Sequence, residues 1–497
     1  MRRALLAAGS GALLLVAAPP LDLSPLVLVA LVPMLAAVRA ASGAAHAAAL
    51  AWITGVVFHA GLLAWLPQAI VHWLDVRWLT AIALLICYVG FHALQFAGAA
   101  LCARAGDTAT TRIAATVAGW VLLEWGFPQV LPWSLGATLG PHPLLRQAAD
   151  VAGVHGLSAL VVSINALLAE AQANWSARPL ESGLELTIAA LLVIGTAGYG
   201  SMAARQSANL VRIAVVQAGT SADDAPDPYA ATAAAWRDYA ALSEALSDGV
   251  DVILWPEKVL RVYLRDSLPW RTSAEALARR TGATLVIGAL DRAADGSDRN
   301  AAYLLTPTLS AIAHKTTLVP FAEYMPGATW LTGPWRPSSP AARATGAPPA
   351  IVRVAGVRLA PRICFEAILP GAYNDGVRAG ADVLINLADD SWSGSAWAAA
   401  QHLEMTRLRA VETRRWLVRA SHSGLSAVID ARGRIVAHLP YGVRGSSARA
   451  VEEPRVLTTY VQWGDAPVLA LCGAALALVA ARRGRRAAAR RPRRPGS

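Results

Sequence analysis

Long apolar runs crowd both ends of this chain, and between them lies a middle of mixed composition, from about Val211 to Thr459. Roughly 20 mostly apolar residues cross a hydrocarbon core as a helix. A middle of this size can instead bury a core of its own. The pattern implies membrane, soluble, membrane, and with 55% hydrophobic residues the chain is too apolar for an ordinary soluble enzyme.

Seven spans are expected before the soluble part, at about Ala4 to Ala18, Leu23 to Val38, Ala45 to Leu66, Leu79 to Cys102, Ile113 to Leu123, Gly156 to Ala169 and Leu184 to Tyr199. The first resembles a signal peptide, but further spans follow at once with no convincing cleavage site, so it is read as retained. Positive charge accumulates on the cytoplasmic side of membranes. Arg2, Arg3, Arg104, Arg112 and Arg178 therefore place the N-terminus inside and the domain after Tyr199 outside. An eighth span, Val468 to Ala481, returns the chain to the cytoplasm. The division is 1–205 for the N-terminal bundle, 206–460 for the soluble domain, and 461–497 for the last span and its basic tail.

That tail carries eight of the arginines behind a formal net charge of +11. Its position beside an apolar run marks a membrane anchor rather than a nucleic-acid arm. Of the four cysteines, Cys87, Cys102 and Cys472 fall in or beside apolar runs, which leaves Cys364 alone in the soluble part. A single thiol there cannot form an intradomain disulfide, and no Cys/His spacing suggests zinc. The segment Glu124 to Gly136 puts tryptophans and prolines at an expected outer interface, as an aromatic belt or a lipid-binding rim.

In the middle region, short β-branched or apolar runs at Val211 to Gln217, Val252 to Trp255, Thr284 to Gly288, Ala301 to Thr306, Val357 to Ile363, Val383 to Leu387, Leu417 to Ser421 and Ser426 to Asp430 read as strands. They alternate with helices at Ala231 to Leu246, Thr272 to Thr281 and Gln401 to Arg414. That is an α/β layered domain. A glycine-rich phosphate loop, a zincin helix and the common serine-hydrolase elbow are all absent from the sequence.

Three polar residues lie just past strand ends: Glu257 in Trp255-Pro-Glu257, Lys315 in Ala313-His-Lys315, and Cys364 in Ile363-Cys-Phe-Glu366. Each alone has an ordinary structural reading, as a cap, a surface charge or a small buried hydrophobe. Together they supply a nucleophile, a base for its proton, and a cation for thiolate and oxyanion. A nearby lysine favours the thiolate while a carboxylate accepts the proton.

These segments, with Val215-Val-Gln217, Asn300, Leu318 through Glu323 to Pro326, Asn386 through Asp390-Ser-Trp392, and Gln401-His402 with Arg407, Arg409, Ala410 and Glu412, match in order along nearly the whole chain. The chain thereby resembles the apolipoprotein N-acyltransferase family, the membrane branch of the nitrilase superfamily. The resemblance implies a nitrilase-like αββα sandwich inserted in an all-α transmembrane bundle of about eight helices. By it, Glu257 is the general base, Lys315 the oxyanion stabiliser and Cys364 the acylated nucleophile. Glu323 is a second carboxylate or a loop hydrogen-bond acceptor, Phe365 and Glu366 shape the pocket floor, and Asn300 and Trp392 support substrate binding. The implied reaction takes an acyl chain from a phospholipid, through a thioester, to the N-terminal amine of a diacylated lipoprotein. The expected setting is the bacterial inner membrane with the catalytic domain periplasmic, as a monomer, with no cofactor, metal or nucleic acid.

Several positions depart from the family pattern. Lys258 follows the Trp-Pro-Glu run where a small hydroxyl residue is usual, and Asp389 stands where asparagine is frequent. Phe365, Ala322 and Ser393 also differ, the stretch from Ser221 to Ala230 lacks a tryptophan, and an arginine is missing near Glu124. These leave open a divergent membrane-anchored amidase or acyltransferase with another substrate. A non-catalytic scaffold or transporter is less compatible, because the apolar runs hold almost no ionisable residues. His402 and Glu404 could suggest metal, but read better as helix-surface or supporting groups. Gly333 to Pro349 reads as a loop that could cover the site.

Overall fold

The computed structural model describes residues 1–202, 209–219, 227–246, 249–324, 345, 351–354, 356–452 and 456–489. Residues 221–226, Met325 and Pro326, all of the expected covering loop except Thr345, and the last arginines of the tail lie outside them. Contacts divide the chain into two compact units. One comprises Met1–Ala64, Ala83–Met202 and Trp463–Ser497, and the other Trp65–Ile82 and Ala203–Gln462.

In the first unit every expected span falls on helix. The helices are Arg2–Ala17, Ser24–Leu28 followed by Val32–Arg39, Ala44–Leu62, Trp78–His92 followed by Leu94–Ala103, Ala109–Gly126, Ala149–Asn174, Pro179–Met202 and Ala466–Ala489. Five stretches, Ala44–Leu62, Trp78–Ala103, Leu145–Asn174, Pro179–Met202 and Ala466–Arg486, are long and apolar enough to cross a membrane. The helices outrun the apolar runs, and the added turns carry ionisable groups that the sequence reading did not assign to spans. Glu124 accepts from Leu135 N at 2.8 Å and Trp120 Nε1 at 3.1 Å. Glu170 pairs with Arg112 at 2.6 Å and with Arg39. His155 meets Asp465 at 2.9 Å. Each has a partner, the condition on which a polar group is tolerated away from water.

The second unit is built on two sheets. The strands of the larger are β1 (Asn209–Gln217), β2 (Val252–Leu254), β3 (Leu260–Tyr263), β4 (Thr284–Arg292), β5 (Asp298–Thr306), β6 (Thr308–His314) and β13 (Gly445–Glu452). Their order is β13-β1-β2-β4-β5-β6, with β3 also on β4. The smaller sheet runs β12-β11-β10-β9-β8-β7, from β7 (Val352–Val354), β8 (Val357–Ile363), β9 (Val383–Ala388), β10 (Trp416–Ser421), β11 (Ser426–Ile429) and β12 (Ile435–Leu439). The central pairs β1/β2, β2/β4, β8/β9 and β9/β10 are parallel.

Side chains alternate across a strand with a period of two, and here both faces of each sheet are apolar. Ile213, Val215, Leu254, Val383, Ile385 and Val418 fill one core shared by the two sheets. Ala214, Val216 and Leu285 face outward beneath the helices Pro228–Glu244 and Leu268–Thr281. Leu384 and Leu417 do the same beneath Asn374–Arg378 and Ala396–Thr413. The four layers are helix, sheet, sheet, helix, the αββα sandwich that the resemblance implied. The longer helix of each outer layer begins on a cap: Asp227 accepts from Tyr229 N and Ala230 N with Pro228 at the first position, and Ser395 accepts from Ala398 N.

One glycine fixes the chain after β2. A Cβ at Gly288 on β4 would lie 2.0 Å from Pro256 O and 2.7 Å from Glu257 Cα, so the turn carrying Glu257 lies directly against the sheet backbone. Gly288→Ala must push that turn away. The expected result is a loss of about 1–3 kcal/mol of stability, as for overpacked cores, with thiol reactivity at Cys364 falling in parallel, read by thermal melting and by alkylation mapped to that residue.

Candidate active site

Each of the three chemistry-bearing residues follows a strand of the sandwich. Glu257 lies three residues past β2, Lys315 one past β6 and Cys364 one past β8. The backbone then holds them. Lys315 N donates to Asn300 O at 2.9 Å, and Trp255 N to Val286 O at 2.8 Å. His422 Nε2 donates to the Glu257 carbonyl at 2.7 Å, and the other ring nitrogen meets the hydroxyl of buried Tyr239 at 3.1 Å.

The side chains converge in the interior, with Lys315 1% exposed, Glu257 3% and Cys364 7%. Lys315 Nζ contacts Glu323 Oε1 at 2.7 Å and Glu257 Oε1 at 3.4 Å. Glu257 also accepts from Asn300 Nδ2, and the Cys364 thiol beside it helps to keep it ionised, while the hydrogen bond that the thiol itself donates goes to Asp389 O at 3.8 Å. Glu323 serves both expected roles, because its second oxygen accepts from Val319 N at 2.8 Å and closes the loop that presents it.

Cys364 has φ +54° and opens a short 3-10 turn over Cys364–Ile368. A non-glycine residue in the left-handed region is uncommon, and such strain persists only where the surroundings over-determine it. Here they do. Glu366 accepts from Ile363 N at 2.7 Å with one oxygen, and from Thr316 N at 2.7 Å and Thr317 N at 2.9 Å with the other. It braces the cysteine turn to the lysine turn, where the sequence reading put it in a pocket floor. Phe365 is buried in the same turn.

A second group under the cysteine escapes the sequence reading. Arg419 on β10, with no exposure, forks onto Asp390 at 2.7 and 2.9 Å and donates to Asn386. Asn386 Nδ2 reaches Cys364 O at 3.3 Å, and His402 Nδ1 meets Asp390 at 2.8 Å. His402 is therefore a half-buried bridge, and among the described residues no cluster of three metal-ligating side chains exists. The available signal was a lone arginine inside the apolar strand Leu417 to Ser421, because a charge buried there needs a partner. Beside this group Trp392 packs on Trp73 at 4.6 Å and Trp65 at 5.6 Å, and Trp65 Nε1 donates to Gln401 at 3.1 Å.

Electrostatics set the resting protonation. Burial pushes Glu257 up, but Lys315, Lys258 and the bonds from Cys364 and Asn300 outweigh it and hold the carboxyl below the usual range. Lys315 loses from burial and gains more from Glu257 and Glu323, so it stays an ammonium. Burial and the Glu257 charge together raise the Cys364 thiol well above its ordinary value, and Lys315 offsets only part of this. The cysteine is not a standing thiolate, as the lysine alone would suggest. It is a neutral thiol beside an ionised carboxylate.

Residues 10–167 match the apolipoprotein N-acyltransferase N-terminal domain, and residues 212–457 match carbon-nitrogen hydrolase. The apolipoprotein N-acyltransferase of Geobacter metallireducens is 30% identical over 96% of this chain and 94% of its own. The protein of that name from Gloeobacter violaceus is 32% identical over 99% and 95%. The one from Bordetella bronchiseptica is 33% identical over 79% and 76%.

Replacing the carboxylate that faces the thiol, in Glu257→Gln, should slow covalent modification of Cys364 by an activated acyl ester about 10²–10⁴-fold, the usual worth of a positioned base. In the wild type the lowered Glu257 value moves the acid limb down. Modification should hold as pH falls to about 4.3, the ordinary glutamate value, and be lost only below it, as the carboxylate takes its proton. A limb centred near neutrality would contradict the assignment.

Proposed function

Since this chain belongs to the apolipoprotein N-acyltransferase family, we propose that it moves an acyl chain from a membrane phospholipid, through a thioester on Cys364, to the N-terminal amine of a diacylglyceryl-cysteine on a lipoprotein. The observation that carries the reading is the buried convergence of the Cys364 thiol, the Glu257 carboxylate and the Lys315 ammonium, each within electrostatic reach of the other two. Glu257 takes the thiol proton as sulfur attacks the ester carbonyl, and the tetrahedral oxyanion forms near the Lys315 ammonium. The intermediate collapses, the C–O bond breaks, and Glu257 returns the proton to the leaving lysophospholipid oxygen. The free amine then attacks the thioester. Glu257 removes a proton from the nitrogen and gives it to the departing sulfur, restoring the thiol and leaving an amide.

Neither step requires a redox centre or a second nucleophile. Glu323 holds Lys315 in place, and Trp392 with its tryptophan neighbours offers an apolar wall beside the cysteine turn. Counting all seven apolar helical segments before residue 209 as spans, the three shorter or less apolar ones included, and starting from a cytoplasmic N-terminus sets the catalytic unit on the periplasmic face of the inner membrane. A domain tethered to membrane helices suits two substrates that are both lipid-anchored.

Intact mass spectrometry of the purified protein in detergent tests this. After incubation with a defined phospholipid, wild type should gain one acyl mass on Cys364 and Cys364→Ala none. The mass should clear on adding a diacylglyceryl-cysteine peptide, with triacylated peptide appearing. An adduct cleared only by water or an unrelated amine would replace the lipoprotein reading with an amidase or a different acyltransferase.

A further inference from the structure

Of the 44 lysines and arginines in this chain only two are lysines, and both stand at this site: Lys315 and Lys258. Lys315 is committed, since it contacts two carboxylates directly. Lys258 is not. It follows Glu257 in the turn pressed against Gly288, its backbone has φ +48°, and it is half-buried. That left-handed conformation is uncommon for a residue with a long side chain and marks a position over-determined by its surroundings. Among the described residues the Lys258 ammonium makes no hydrogen bond and no ion pair within 4.0 Å, although Glu257, Glu323 and Asp389 all lie within electrostatic range of it. Burial draws the group down, and these three carboxylates more than offset it and keep it charged.

An ammonium has three donors and no acceptor. Half-buried, next in sequence to Glu257 and without a protein partner among the described residues, the ammonium can turn these donors to an anion that enters beside Cys364. A lysine presents a compact point charge on a flexible stem, suited to a phosphate that must move, where an arginine fork would fix one geometry. Lys315 is taken up by its two carboxylates, so Lys258 is the cation here that an entering anion can meet without displacing those pairs.

We propose that Lys258 Nζ holds the phosphodiester of the acyl-donor lipid while the donor's ester carbonyl lies against Cys364. The inference rests on the phospholipid-donor reading above. It makes Lys258 a donor-selecting residue: a phospholipid ester engages it, and an uncharged glyceride carrying the same chains does not. Lys258 also acts on Glu257 through space, but that effect falls on every donor alike and cancels in a ratio.

The test measures the rate of thioester formation on Cys364 from micelles of palmitoyl-oleoyl phosphatidylglycerol and, separately, of palmitoyl-oleoyl glycerol, for wild type, Lys258→Gln and Lys258→Arg. Wild type should favour the phospholipid. In Lys258→Gln that preference should fall about tenfold or more, the worth of one hydrogen bond to a charged group, through a raised half-saturation for the phospholipid. Lys258→Arg, which keeps the charge, should recover part of it. A preference unchanged in Lys258→Gln, or a wild type that treats both lipids alike, overturns the role of Lys258 and leaves the transferase reading standing. A wild type that forms no thioester with either lipid overturns both.

Discussion

A fully buried ammonium, Lys315, is the constraint around which the catalytic unit is organised. Each of its carboxylate partners comes from a different connection, Glu257 after β2 and Glu323 from the loop after β6, so one cation fixes two loops. Removing the lysine would leave two carboxylates in the interior with their shared cation gone, a costly state. Under the proposed mechanism the arrangement also lets a buried thiol react. Passing a proton from Cys364 to Glu257 moves a negative charge from oxygen to sulfur without creating one, and both atoms lie within the field of the same lysine. The supporting bonds from Glu366 and Asn386 go to backbone, and Arg419 holds the Asn386 side chain in turn, which keeps these groups in register with no demand on substrate.

The central strands of the sandwich were legible because they are apolar on both faces: Val252 to Leu254, Val383 to Leu387 and Leu417 to Val418 form near-continuous runs. The strands missing from the sequence reading share a physical reason. β6, β13, β7 and β12 are the four sheet edges, and β3 is a short addition on β4. Edge strands face water, so they carry mixed residues such as the Gly445-Ser-Ser-Ala-Arg run of β13, and no apolar period betrays them.

The same logic separates the legible and hidden parts of the site. Glu257, Lys315 and Cys364 were readable as residue types at strand ends, and family resemblance gave them roles. The Arg419, Asp390 and His402 assembly was not, because its members are distant in sequence and each matches an ordinary structural residue until the fold brings them within hydrogen-bond range. Protonation was equally hidden. Proximity to lysine argues for a thiolate, and only the depth of burial together with the Glu257 charge reverses that sign.

The helix Leu66–Leu74 belongs with the catalytic unit although about 130 residues of membrane-type sequence separate it from β1. Its flanking Trp65 and its own Trp73 cover Trp392, and Gln68 lies against Gly394. The unit that folds together is therefore not a contiguous stretch of chain. Cutting the gene between the last N-terminal span and β1 would yield a fragment with both sheets and all three reactive residues, yet with an indole bare to water where two others should stand. Heredity is constrained in the same way: this module cannot be exchanged with a free-standing relative as a cassette, because part of its own wall is encoded among the spans that precede it.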